Sequence, residues 1–315
     1  MDNFTSDSSP IPTATDGIQA TIDEAYELFR TEDGGEVSDL YAPLAAADPS
    51  IFGLSFVTTS GDQFSAGDSS ARFVLMSVSK PFVFALVCDL IGVSTAHDRL
   101  GANATGLAFN SLEAVERNRG KTNPMVNSGA IATVGLYGDD PWPRVLEGLS
   151  RFAGAELKLD DEIFAMVSAT NKNNRALTQA LDSFSMLERD PAEVLDAYTR
   201  QCCVSVNSSE LAVMGATLAN GGLNPLSGQR VVSAEASRAA LAVMATAGLY
   251  ETSGDWLYRV QLPGKSGVSG GIFGASPAEG AFATYSPRID AAANSVRGQL
   301  AAEYLSDRLG LGVLG

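Results

Sequence analysis

The stretch GVSGGIFGASPAEGAFATYS, residues 267–286, reads as a pair of strands, GVSGGIFGA over 267–275 and GAFATYS over 280–286, with a helix following over about 294–309. A second pair lies near the other end of the chain. IFGLSFVTT (51–59) and QFSAG (63–67) flank the turn Ser60-Gly61-Asp62, with apolar alternation on both arms. Ahead of that hairpin, residues 17–30 behind the Thr15/Asp16 pair have the form of a capped helix. Between the two strand pairs the periodicity is helical, over about 125–136, 142–153, 161–168, 174–185, 191–203, 208–220 and 233–246, with Asn220-Gly221-Gly222 as a stop. Strands from both ends and a helical middle predict an α+β fold: one antiparallel sheet assembled from the two termini, flanked by helices, with an all-helical lobe inserted. We expect a disordered tail over 1–14 and a single unit over 15–315. Its sheet lobe would span about 15–100 and 250–315 and its helical lobe about 101–249, with any site in the cleft between them.

Composition narrows the function. Apolar residues make up 45% of the 315 and charged residues 18%, enough core material for a compact body. The formal charge of −16 repels phosphate backbones and anionic lipid surfaces, which argues against nucleic-acid and membrane partners. The start, MDNFTSDSSPIPT, has neither a basic nor an apolar leader region, and the apolar run 82–93 is broken by Asp89. Three cysteines, two of them the neighbours Cys202 and Cys203, form no disulfide framework and no metal-ligand spacing, so a reducing cytoplasm is the expected setting. The single histidine, His97, lies in the polar segment STAHDR and reads as a surface residue in a loop. Acid–base chemistry must then come from lysine, tyrosine or carboxylates, with no metal or cofactor.

In VLMSVSKPFVFALV (74–87), Ser77 and Lys80 stand at i and i+3, one face of a helix, so the amine can reach the hydroxyl. A serine can be activated this way without histidine if burial keeps the amine neutral. Alone the pattern is weak, since 32 serines and five lysines give one Ser-x-x-Lys by chance roughly 40% of the time. A second lysine, however, opens Lys265-Ser266-Gly267 just before a strand, and the pairing resembles the penicillin-recognising serine acylases. A strand edge after that triplet could supply one N–H for an oxyanion and Ser77 another. Asn127 reads either as an N-cap or as an amide aimed into a cleft, and Tyr198 and Tyr250 either as core aromatics or as acids.

From about Gly35 to Gly310 the chain resembles the serine-dependent glutaminases, a family with a β-lactamase/penicillin-binding-like fold. The segments that carry the likeness are GEVSDLYAPLA (35–45), SGDQFSAGD (60–68), SVSKP (77–81), GLAFNSL (106–112), NPMVNSGAI (123–131), ATLANGG (216–222), AGLY (247–250), LPGKSGVSGGI (262–272) and YSPRIDAAANS (285–295). The resemblance implies an amidohydrolase that converts L-glutamine to L-glutamate and ammonia through an acyl-serine, using no cofactor. Ser77 would be the nucleophile, Lys80 its proton partner and Tyr250 part of the same network. The N–H groups of Ser77 and Val268 would hold the oxyanion, and Asn127, Asn174 and Tyr198 the substrate α-carboxylate. A homo-oligomer is also within what the resemblance implies.

The sequence departs from that family at the α-amino end. The glutamate expected seven residues before Asn174 is Val167, the expected tyrosine is displaced by one to give Leu40-Tyr41, and the glutamine before the nucleophile is Met76. The family's Arg-Asn pair is Asn173-Asn174, and Glu162 would face another side of its helix. Two further readings follow: an amidase for a glutamine analogue lacking the α-ammonium, and a catalytically silent binding relative.

Overall fold

The computed structural model describes residues 14–314. Its first third comprises α1 (Ala14–Phe29), β1 (Glu36–Val37), α2 (Ala42–Ala45), β2 (Gly53–Thr58), β3 (Gln63–Gly67), β4 (Phe73–Val74), α3 (Lys80–Ile91) and α4 (Val93–Leu100). The middle runs through α5 (Leu112–Arg117), α6 (Asn127–Gly135), α7 (Pro141–Ala153), β5 (Lys158–Leu159), α8 (Asp161–Thr170), α9 (Lys172–Ser183), α10 (Pro191–Cys202), β6 (Val204–Val206) and α11 (Ser208–Ala219). The chain closes with α12 (Ala234–Ala247), α13 (Ser253–Val260), β7 (Gly264–Ser266), β8 (Gly271–Ser276), β9 (Gly280–Tyr285), β10 (Arg288–Ile289) and α14 (Val296–Leu309).

Five strands form one antiparallel sheet in the order β3-β2-β9-β8-β7, so the first hairpin pairs directly with the last. Phe56 of β2 stands opposite Phe282 of β9, which fixes the register of the two chain ends. Alternation along the strands then divides two cores. Leu54, Phe56, Ile272 and Phe282 pack on α1, α13 and α14 through Ile22, Trp256 and Leu305. Val57, Phe273, Ala281 and Ala283 turn to the opposite face, where α11 and the helical middle cover them. Helix α11 is apolar on nearly every side because it lies between sheet and helices; its start is fixed by a reciprocal cap between Asn207 and Glu210. Its approach to the sheet is close. A Cβ added to Gly215 would lie 2.7 Å from the Ala281 Cβ and 3.0 Å from the Phe273 ring.

Several local expectations are corrected. Residues 267–275 are not one strand: β7 ends at Ser266, and residues 267–270 make a turn before β8. Gly270 sits there at φ +99°, and a Cβ on it would lie 2.2 Å from Ser286 O, so only glycine fits. His97 lies on α4 rather than in a loop, although its side chain is exposed. Helix α1 begins at Ala14, ahead of the Thr15/Asp16 pair expected to cap it, and residues 1–13 of the expected tail lie outside the described residues. A second sheet, β4-β6-β5, was not foreseen; it ties the chain just before Ser77 to the end of α10. Among the described residues no single helix is long and apolar enough to cross a membrane, and the three cysteines are free and buried.

Candidate active site

Ser77 lies in a 3-10 turn, Met76–Ser79, rather than on the α-helix proper. The cause is Pro81, which has no N–H to offer the Ser77 carbonyl; the Lys80 N–H takes that carbonyl instead. Met76, immediately before, has φ +45°, a left-handed conformation that costs a non-glycine residue about 1–3 kcal/mol and projects Ser77 from the bend. Helix α3 behind it is anchored to the sheet by Phe82, stacked on Phe273 at 5.0 Å.

Lys80 is fully buried and donates to Ser77 Oγ at 3.0 Å and to Asn127 Oδ1 at 2.7 Å. Burial pulls its pKa down from 10.5 to about 8, and no carboxylate opposes that shift. Part of the population therefore holds a neutral amine within reach of the serine proton near neutral pH.

Asn127 is the first residue of α6, but Val126 is the N-cap and no side chain caps this end. Its amide points into the cleft, which decides between the two readings of this residue. Oδ1 also accepts from Tyr198 OH at 3.2 Å, and Nδ2 donates to Asn174 Oδ1 at 3.0 Å. The chain of bonds continues from Asn174 Nδ2 to Asn171 Oδ1 at 2.7 Å and from Asn171 Nδ2 to Thr199 Oγ1 at 3.0 Å. Three helices, α6, α9 and α10, are thus joined through buried amides beside Lys80.

On the sheet side, Tyr250 has its hydroxyl 3.3 Å from Ser266 O and beside the Ser77 hydroxyl, at a left-handed φ of +56°. Burial pushes its phenol up to about 12, so it is neutral. Lys265 does not reach Ser77. Its Nζ donates to Gly248 O and Ser266 O, both at 2.7 Å, and lies 4.3 Å over the Tyr250 ring, holding that ring and the strand edge together. Burial, with Lys80 nearby, holds the Lys265 amine well below its ordinary pKa. The edge then passes close to the serine: a Cβ on Gly267 would lie 3.3 Å from Ser77 N. The next N–H, of Val268, has no acceptor among the described residues.

A narrow cavity opens over Ser77, lined by Asn127, Asn174, Tyr198 and Val268 on its polar side, with Tyr41, Leu40, Met76, Val167 and Phe109 around them. Tyr41, the residue before α2, does point into it, and burial with Cys202 and Cys203 nearby pushes its phenol up to about 12. Every residue singled out from the sequence for catalysis or substrate contact lies in or against this cavity. Glu162 does not; it is exposed and turned away. Sequence reasoning missed Asn171, Thr199, Cys202 and Phe109. The signal for Asn171 was its i, i+3 spacing from Asn174, and for Thr199 and Cys202 their spacing around Tyr198 on α10.

Comparison with known proteins fits this arrangement. The glutaminase family model matches residues 35–314. The chain belongs to the glutaminase family. It is 51% identical over 295 residues to Glutaminase 2 of Yersinia pestis, covering 92% of this chain and 87% of that one. To the glutaminase of Colwellia psychrerythraea it is 42% identical, over 93% and 96%. Among solved structures, the probable glutaminase ybaS superposes with a TM-score of 0.92 at 41% identity, covering 95% of this chain and 98% of that one. The glutamate form of Mglu gives 0.89 at 32%, covering 94% and 70%. The fold of this glutaminase-family chain is accordingly the β-lactamase-like one that the resemblance implied.

Proposed function

We propose that this glutaminase-type amidohydrolase converts L-glutamine to L-glutamate and ammonia through an acyl ester on Ser77. The observation that carries the reading is the Lys80 amine, fully buried, with no carboxylate partner among the described residues, and 3.0 Å from Ser77 Oγ.

Neutral Lys80 accepts the Ser77 proton as Oγ attacks the side-chain amide carbonyl. Charge that develops on the carbonyl oxygen meets the N–H groups of Ser77 and Val268, a reading supported by the close approach of Gly267 to Ser77 N and by the lack of another acceptor for the Val268 N–H among the described residues. As the C–N bond breaks, the leaving nitrogen takes the proton from Lys80 and departs as ammonia, with Tyr250 OH bridging between Ser77 and the strand edge. Water then attacks the ester, returns a proton to Ser77 Oγ through Lys80, and releases the acid. Atoms balance: one water in, one ammonia out. Asn127 and Asn174 each have a second amide N–H for the substrate α-carboxylate beside the buried lysine, and the Tyr198 hydroxyl turns to it from Asn127 Oδ1 as substrate binds.

Ammonia release from L-glutamine by the purified protein, abolished in Ser77→Ala with unchanged thermal unfolding, supports this reading. Absence of release at high millimolar glutamine, or full activity in Ser77→Ala, contradicts it.

A further inference from the structure

Among the described residues, no acidic side chain lines the cavity over Ser77. Its lining is Leu40, Met76, Phe109, Val167 and Val268, together with hydroxyls, the asparagine amides and the Cys202 thiol. The basic groups beside it are the amines of Lys80, against Asn127, and Lys265, over the Tyr250 ring, both held below their ordinary pKa by burial. The titratable groups facing it, Tyr41, Tyr198, Tyr250 and Cys202, are all held neutral by burial. Carboxylates in the neighbourhood are elsewhere. Asp39 and Glu162 are exposed, and Glu251 lines a separate groove beyond Phe109 and Tyr250. Asp196 lines another groove across the Asn171–Thr199 pair and is held by Arg200 at 2.6 Å. Val167, 3% exposed, presents its isopropyl group to the cavity.

Such a site is suited to one half of an amino acid. A substrate carboxylate finds amide and hydroxyl donors beside the Lys80 amine, whereas an α-ammonium must give up its water with no counter-charge to replace it. We propose that the preferred substrates are glutamine-length ω-amides that carry the carboxylate but no cationic nitrogen at the α-carbon, the desamino and α-keto forms. The proposal rests on the amidohydrolase reading above and uses the same acyl transfer, with ammonia as the leaving group and water as the acceptor.

The test compares kcat/KM for L-glutamine and for glutaramate, its desamino counterpart, across pH 6 to 9. Both substrates share the enzyme's own titrations, so their ratio reports the substrate amine alone. Glutaramate is expected to lead by about ten- to a hundredfold at pH 7, the value of one missing charge-assisted hydrogen bond. The gap should narrow as pH rises and glutamine loses its proton. Val167→Glu should shift the ratio toward glutamine by at least about tenfold at pH 7. Glutamine turned over as well as glutaramate, with a ratio flat in pH, overturns the proposal and leaves the amidohydrolase reading standing. Ammonia released from neither amide by the folded protein overturns both. The wild-type ratio carries the test should Val167→Glu fail to fold.

Discussion

The Lys80 amine donates 2.7 Å to the Asn127 side-chain oxygen, a neutral acceptor where a carboxylate would fit equally well. This choice keeps the amine low, at about 8. Turnover that depends on neutral Lys80 should therefore rise with pH along a limb centred near 8 in kcat/KM for a substrate that does not itself titrate there. Asn127→Asp places a negative charge at the same distance, raises the lysine pKa and moves that limb to higher pH by at least about one unit. A limb unmoved by the substitution contradicts the role given to Lys80.

The same shift has a consequence for stability. The folded amine titrates near 8 and the unfolded one near 10.5, so between those values the unfolded chain binds more protons and stability from this group rises with pH. The variant Lys80→Met lacks that rise. Denaturant unfolding at pH 8 and 10.5 should show the wild type gaining up to about 3 kcal/mol relative to Lys80→Met over the interval, and a constant difference would count against a buried, low-pKa amine.

Tyr250→Phe removes the hydroxyl beside Ser77 and Ser266 O but keeps the ring against Phe109 and under Lys265. We expect kcat to fall by about a hundredfold with KM and thermal unfolding little changed, as for loss of a proton-transfer group. A drop in stability with kcat preserved would mark the tyrosine as a packing residue.

Gly267→Ala adds a Cβ 3.0 Å from Leu75 O and 3.3 Å from Ser77 N, both backbone atoms with little room to yield. Pushing the strand edge from Ser77 by a few tenths of an ångström should reduce kcat by about ten- to a hundredfold, and steady-state kinetics on the folded variant checks it. Gly215→Ala presses α11 off β9 and β8 instead, and should cost about 1–3 kcal/mol in unfolding free energy.

How far the sequence could be read depended on the length of each signal. Strands β2, β3 and β9 and the long helices were legible because each shows several periods of its own repeat. Strands β4 and β5 are two residues each, too short to show any period, and their pairing with β6 is decided by contacts distant in sequence. The 3-10 turn at Ser77 follows from Pro81, which has no N–H for the carbonyl four residues back, a local signal that the i, i+3 spacing alone does not carry. Asn127 illustrates a different limit. A cap and a cleft amide use the same residue at the same helix start, and only the arrival of Lys80, Tyr198 and Asn174 from three other helices chooses between them. The bond from Asn171, between α8 and α9, to Thr199 on α10 joins residues 28 apart, which no local pattern announces.

Acyl transfer to Ser77 is tested most directly by the mass of the enzyme quenched with acid during turnover. We predict an acyl adduct on the peptide that contains Ser77, formed at a rate that rises with pH through about 8, and neither adduct nor ammonia from Ser77→Ala. An adduct on any other residue, or turnover by Ser77→Ala at the wild-type rate, would contradict it.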